Sequence, residues 1–161
     1  RRVGAAELLA VMTSLVGRCP ASRFVVAGIS QGADTVVTGL ESLPPDLLGR
    51  IVSVQLFGDP RFMVGPWMVA PGTEIPSGHG VLGTRPSYVP PALLGRTTSW
   101  CGQFDGVCTG QFWLALLDTI KECTRFRELP ACSRRHIDYE IWAFEPAMVR
   151  AVTATRTTLG R

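Results

Sequence analysis

Residues 24–33, which read FVVAGISQGA, decide the fold of this chain. Residues 24–29 form a short apolar run rich in β-branched side chains, a composition typical of a buried strand. The tripeptide Ser-Gln-Gly follows at 30–32, and the stretch 33–40 then has the pattern of a helix. We therefore predict a buried strand, a tight turn centred on Ser30 and a helix, in immediate succession.

This turn carries a chemical motif. Gly28-Ile29-Ser30-Gln31-Gly32 matches the pattern G-x-S-x-G, and it lies between a strand and a helix, as a nucleophile elbow requires. In such an elbow the serine backbone is strained, and its hydroxyl points outward at the carboxyl end of the strand. Gly28 and Gly32 are expected to remove clashes, while the Gln31 amide and the helix N-terminus would stabilise an oxyanion. The alternative is an ordinary turn in which Ser30 caps the helix.

Helices and strands alternate along the rest of the chain. The pattern predicts helices at 3–17, 107–122 and 139–155, and further strands at 51–57 and 96–100. Pro146 is expected to break the last helix or to delay its start to Glu145. Residues 61–96, dense in proline and glycine, are predicted to form a long surface excursion, and 124–138 a loop. Strand–helix–strand alternation favours parallel strands and a right-handed crossover, so we predict one α/β domain over 1–161.

Composition narrows the possible partners. The chain has 161 residues, of which 46% are hydrophobic and 18% charged, with a formal net charge of +3. Its lysines and arginines are scattered rather than grouped into a basic stripe, which argues against a nucleic-acid partner. No stretch approaches 18 uninterrupted apolar residues, so we expect no stable membrane insertion. The chain opens on Arg1-Arg2 without a signal-peptide pattern and is expected to be a mature or trimmed form.

Five cysteines suggest local cross-links. Four of them form two close pairs, Cys101 with Cys108 and Cys123 with Cys132. Neither pair has the spacing of a zinc site, and two histidines do not complete one, so no metal site is predicted. Two local disulfides are the simpler interpretation, and they indicate an oxidising compartment and a secreted protein. The alternative is four reduced thiols. Cys19 would be a free thiol or would pair with a residue upstream of residue 1.

A serine nucleophile needs a base and an acid that orients it. The chain has two histidines, His79 within the Pro/Gly-rich excursion and His136 in the loop before the last helix. His136 fits the order nucleophile, acid, histidine that α/β-hydrolases use. Among the acids between Ser30 and His136, Asp59 follows the second strand and would also suit a turn cap. Asp105 lies between Cys101 and Cys108, where a disulfide would fix its position, and spacing ranks it only slightly above Asp59.

Taken together, these segments resemble the cutinase family, including its actinobacterial esterase members. The resemblance rests on four segments in order: the nucleophile segment 19–33, the strand and turn 56–62, the stapled loop 101–108 and the loop 136–139. It implies an α/β-hydrolase fold, a three-layer sandwich around a central parallel sheet without a large lid. It also implies a triad of Ser30, Asp105 and His136, with Gln31 as an oxyanion donor.

The resemblance further implies what the chain binds. We expect a serine esterase that acts on cutin-like polyesters, short- or medium-chain acyl esters or lipids, as a monomer and without a cofactor. Phe62, Met63, Trp67, Val81 and Leu82 would line an acyl cleft or simply cover the core. The alternatives are a mycolate or cell-envelope lipid esterase of the same family and a catalytically inactive binding module. The family has strands before the nucleophile strand, one of which ends at the second oxyanion donor, so we expect an N-terminally incomplete domain.

Overall fold

A parallel sheet lies at the centre of the structure. The computed structural model describes residues 1–64, 68–69, 78–86, 89–102, 105–111, 143, 145–158 and 160. The strands described are β1 (Phe24–Ile29), β2 (Ile51–Phe57), β3 (Met68–Val69) and β4 (Thr97–Trp100). Their spatial order is β1-β2-β4-β3, and every pairing is parallel. The predicted strands at 24–29, 51–57 and 96–100 are therefore confirmed, as is their parallel pairing.

Helices flank the sheet. They are α1 (Arg2–Arg18), α2 (Gln31–Leu40), the short α3 (Pro45–Leu48) and α4 (Glu145–Thr158), and a 3-10 turn at Pro91–Arg96 precedes β4. Helix α4 starts at Glu145 and places Pro146 in its first turn, where the missing N–H breaks no helical hydrogen bond. This bound agrees with the predicted start near Glu145, and residues 139–142 and 144 lie outside the described part of the chain. The predicted helix at 107–122 does not begin at 107, because residues 107–110 form turns and bends; the rest of it beyond 111 and the predicted loop at 124–138 lie outside the described residues.

The two faces of β2 pack against different helices. Val54 and Leu56 face α1 and α2, and they belong to the main apolar core with Met12, Val37 and Leu40. On the opposite face, Phe57 packs with Trp100 and with Ala147 of α4. Every residue of β2 is buried, because helices cover both of its faces and strands pair with both of its edges. Strand β2 is therefore the interior element around which the described fold is built.

Strand β1 is less buried than its sequence predicted. Val26 is the one buried residue of this strand, whereas Val25 is 47% and Ile29 36% exposed. The reason is positional: among the described strands β1 pairs with β2 alone, and the described helices cover only the face that carries Val26. An apolar run can report that a strand belongs to a sheet, but it does not report whether both faces are covered.

The prediction of a surface excursion at 61–96 is wrong in part. Phe62 and Leu93 have no exposed surface, and Val89 has 2%. The segment folds back on itself, since the Leu82 N–H donates to the Pro60 carbonyl and the Gly80 N–H to that of Phe62. A Cβ on Gly80 would lie 2.3 Å from the Pro60 oxygen, so only glycine allows this approach. Such contacts leave no periodic signal in the sequence.

No helix within the described ranges has both the length and the apolar character needed to cross a lipid bilayer.

A matched pair of valines tests the difference between β2 and β1. Val54→Ala removes two fully buried methyl groups and should lower the free energy of unfolding by about 2 kcal/mol or more. Val25→Ala, on the exposed face of β1, should lower it by less than about 1 kcal/mol. Urea unfolding monitored by circular dichroism measures both. Equal losses in the two variants would contradict the assignment of β2 as the interior strand.

Candidate active site

The carboxyl ends of three strands meet in one row. Ile29 pairs with Phe57, and Phe57 pairs with Trp100, so β1, β2 and β4 end at the same level. Ser30 follows β1 directly, and Cys101 follows β4. Adjacent strands are about 4.8 Å apart, so β1 and β4 are separated by roughly 10 Å. The loops that carry Ser30 and Asp105 therefore emerge from one edge of the sheet.

Ser30 has a strained backbone. Its φ of 55° and ψ of −126° make it the one residue other than glycine with a positive φ in the described parts of the chain. Its N–H donates to the Phe57 carbonyl at 2.8 Å, and its own carbonyl accepts the N–H of Ala33 at 2.9 Å. Such conformations cost about 1–3 kcal/mol and persist where surrounding contacts hold them. The strained turn that the motif predicted is present.

The Ser30 side chain does not cap α2. The helix begins at Gln31, and its preceding residue Ser30 makes no capping hydrogen bond through its side chain. The alternative of an ordinary N-cap serine is therefore wrong. The Gln31 amide belongs to the first turn of α2, where backbone N–H groups have no partner within the helix. Its predicted role as an oxyanion donor is compatible with this position and stays a prediction.

The two glycines of the motif have different roles. A Cβ on Gly28 would lie 2.6 Å from the Gly32 oxygen and 2.7 Å from the Ala33 nitrogen, so β1 and α2 can approach this closely only without a side chain there. A Cβ on Gly32 would meet nothing within 4 Å among the described residues. The prediction of clash relief is thus confirmed for Gly28, whereas for Gly32 the described residues provide no such contact.

Asp105 is buried within a cross-linked loop. Asp105 is 1% exposed, and its Oδ1 accepts the Val107 N–H at 2.8 Å. Its carbonyl accepts the Thr109 hydroxyl at 2.7 Å. A disulfide joins Cys101 to Cys108, as predicted, and closes the loop around the carboxylate. The predicted Cys123–Cys132 bridge lies outside the described residues, and Cys19 is an exposed free thiol.

Asp59, the competing acid, is already engaged. It has no exposed surface, and both of its oxygens accept the Arg85 guanidinium at 3.0 Å. Its Oδ1 also accepts the Arg61 N–H at 2.9 Å, the turn-capping contact that the sequence favoured. The Asp59 carboxylate is thus fixed by a buried arginine and by the turn that it caps, whereas Asp105 lies in the cross-linked loop, so the contacts favour Asp105 as the acid.

Of the two candidate bases, only His79 lies within the described residues. His136 lies outside the described residues. His79 is half-buried, and its Nδ1 lies 3.0 Å from the Gly80 carbonyl. The Val81 N–H nearby donates to the Val107 carbonyl at 2.9 Å, which brings the loop of His79 against the loop of Asp105. His79 therefore remains the alternative base, and an experiment must separate it from His136.

The predicted cleft residues divide into two groups. Phe62 is fully buried and packs against the Cys101–Cys108 disulfide, so it belongs to the core and lines no cleft. Met63 is packed partly against the main core. Val81 and Leu82 are 38% and 52% exposed and stay available to an apolar substrate. Trp67 lies outside the described residues. Within the described ranges, no group of three potential ligands is arranged to hold a metal ion.

A buried ion-pair cluster lies beside Ser30, and the sequence did not predict it. Arg85 donates to Asp59 and, at 2.8 Å, to Oδ1 of Asp34 in the first turn of α2. Arg1 lies 3.0 Å from the other Asp34 oxygen, and the Arg61 Nε is 3.4 Å from Oδ1 without hydrogen-bond geometry. The only hint in the sequence was an aspartate one helical turn after the serine.

Comparison with known proteins identifies the family. The family model described as Cutinase matches residues 1–116. The chain is 29% identical over 109 residues to Carboxylesterase Culp1 of Mycobacterium tuberculosis (strain ATCC 25618 / H37Rv), an alignment covering 66% of this chain and 44% of that protein. It is 26% identical over 114 residues to a Cutinase of Kineococcus radiotolerans, covering 65% of this chain and 33% of that protein. The chain thus spans less than half the length of these curated relatives.

A solved structure shows the same fold. The catalytic core domain of acetyl xylan esterase from Trichoderma reesei is similar with a TM-score of 0.60 at 17% identity, covering 94% of this chain and 69% of that one. At this identity the likeness concerns the fold alone, which is the expected α/β-hydrolase architecture with an open parallel sheet between helices. Together with the family match over residues 1–116, it leads to one conclusion: this chain belongs to the cutinase family.

Proposed function

We propose that the chain hydrolyses carboxylic esters through an acyl-enzyme on Ser30. The observation that carries the proposal is the strained backbone of Ser30, with a φ of 55° between the end of β1 and the start of α2. A conformation that costs free energy, at a serine whose hydroxyl makes no capping bond, is typical of a nucleophile elbow. The relatives named carboxylesterase and cutinase support the same chemistry.

In the proposed mechanism His136 takes the Ser30 proton as the hydroxyl attacks the ester carbonyl. The Gln31 amide, at the positive end of α2, stabilises the oxyanion of the tetrahedral intermediate. Asp105 holds the imidazole in one tautomer and balances its charge. His136 then protonates the leaving alcohol, and water repeats the sequence to release the acid. The reaction needs neither a metal nor an organic cofactor.

The proposed substrates are short- or medium-chain acyl esters, including lipid or cutin-like esters. Val81 and Leu82 expose apolar surface on the loop that packs against the Asp105 loop, a suitable position for contact with an acyl chain. The Cys101–Cys108 disulfide favours an oxidising compartment, so we propose that the protein acts outside the cell.

Ser30→Ala tests the nucleophile. We expect hydrolysis of p-nitrophenyl butyrate to fall by about four to six orders of magnitude, because no other group replaces the attacking hydroxyl. The unfolding midpoint should stay near that of the parent protein, since the hydroxyl caps nothing. Ser22→Ala, before β1 and at the opposite end of the sheet, is the matched control and should keep full activity. Activity that survives in Ser30→Ala would overturn the proposal.

The choice of base is tested by a pair of histidine variants. His136→Ala should lower kcat by about four orders of magnitude or more, because Ser30 then has no proton acceptor. His79→Ala should lower it by less than about tenfold, since we assign His79 no proton transfer. Steady-state kinetics with the same ester measures both. If His79→Ala alone abolishes turnover, the base is assigned to the wrong residue.

The choice of acid is tested in the same assay. Asp105→Asn should lower kcat by about four orders of magnitude, because an amide favours the wrong imidazole tautomer. Asp59→Asn should lower stability and lower kcat by no more than about a hundredfold, since it weakens a buried pair with Arg85 but leaves the proposed acid in place. If Asp59→Asn folds normally but loses as much kcat as Asp105→Asn, the assignment of Asp105 as the acid would be contradicted in favour of Asp59.

A further inference from the structure

Arg85 bridges the two elements that fix the Ser30 backbone. One guanidinium nitrogen donates to Asp34 at 2.8 Å and to Asp59 at 3.0 Å, and the other donates to Asp59 at 3.0 Å. Asp34 lies in the first turn of α2, and its N–H bonds to the Ser30 carbonyl at 3.3 Å. Asp59 lies two residues after Phe57, whose carbonyl accepts the Ser30 N–H. Arg85 thus connects Asp34, one hydrogen-bond partner of the Ser30 main chain, to the turn that follows Phe57, another partner.

The three linked side chains are buried. Arg85 is 9% exposed, and Asp34 and Asp59 are 2% and 0% exposed. Buried ion pairs add little net stability over well-packed apolar residues, so stability alone does not account for the cluster. Asp34 also places a carboxylate one helical turn from the Gln31 amide, where an uncompensated negative charge would oppose a developing oxyanion. The cationic partners of Asp34 cancel this charge.

We propose that Arg85 is a positioning residue for ester hydrolysis, holding α2 against the turn after β2 and neutralising Asp34 beside the oxyanion donor. The inference rests on the proposed role of Ser30. Arg61 is a weaker candidate, because its Nε lacks hydrogen-bond geometry toward Asp34 and its guanidinium donates to the Leu82 carbonyl at 2.9 Å. Only Arg85 reaches both aspartates with its side chain among the described residues.

The planar guanidinium makes this role specific to arginine. Its fork donates two parallel bonds to Asp59 while one of the same nitrogens reaches Asp34, an arrangement that a lysine ammonium cannot reproduce. Arg85→Lys therefore keeps the charge and removes the geometry. Arg85→Met removes both, and adding Asp34→Asn to that variant removes the carboxylate that Arg85 would have neutralised.

The test compares kcat and KM for p-nitrophenyl butyrate in these variants, each assayed well below its unfolding midpoint. We expect Arg85→Lys to lower kcat by about ten- to a hundredfold with KM within about twofold, because a displaced nucleophile costs turnover more than binding. Arg85→Met should lose more. Adding Asp34→Asn to Arg85→Met should recover about tenfold in kcat, which a purely structural role would not produce.

Arg96→Met is the matched control. Arg96 donates to the Ile51 carbonyl at 2.8 Å, at the amino end of the strands, so its loss can affect stability but should leave kcat unchanged. If Arg85→Met does not fold, the kcat of Arg85→Lys decides. A wild-type kcat in Arg85→Lys would overturn the inference, and so would losses of kcat that only follow the folded fraction of each variant. The proposed function would still stand in either case if Ser30→Ala is inactive.

Discussion

The strained backbone of Ser30 is the constraint on which the rest of the site depends. The turn from β1 into α2 is possible because residue 28 is glycine. A Cβ at this position would lie only 2.6 Å from the Gly32 oxygen. It is held because the Ser30 N–H donates to the end of β2 at 2.8 Å. The even row formed by Ile29, Phe57 and Trp100 then places the Asp105 loop at the same edge. Sheet register, more than any single loop, sets the geometry of the proposed chemistry.

Much of this frame could be predicted from local sequence. Residues 51–57 were predicted as a strand with the bounds that the structure has, because a run of β-branched and apolar residues ends at Gly58-Asp59-Pro60. The Cys101–Cys108 bridge was predicted from spacing alone. The exposure of individual side chains was not predictable in the same way. Val25 and Val54 occur in similar apolar runs, yet Val54 is fully buried and Val25 is 47% exposed. Burial depends on what packs from elsewhere in the chain.

The ion-pair cluster shows the same limit at the site itself. Arg85 and Asp34 are separated by 51 residues, and neither sits in a recognisable motif. In the sequence, Asp34 falls within the predicted helix at 33–40, and Arg85 falls within the proline- and glycine-rich segment at 61–96. Their pairing follows from the way residues 78–86 fold over the end of β2, a long-range contact that local pattern does not encode. The same fold buries Phe62, for which the sequence left open a place in a cleft or over the core.

The face of the sheet beneath α4 and the loops at its carboxyl end use polar groups in different ways. Beneath α4, Trp100 donates to Gln55 at 2.8 Å and Gln55 to Ser53 at 2.7 Å, a neutral chain that satisfies buried atoms without buried charge. At the carboxyl edge the same fold instead accepts a strained serine and a cluster of buried charges. Neutral hydrogen bonds would suffice if that edge had only to be stable. Backbone strain and buried charge around one hydroxyl both cost folding free energy. This cost is expected of a site whose electrostatics are fixed before the substrate binds.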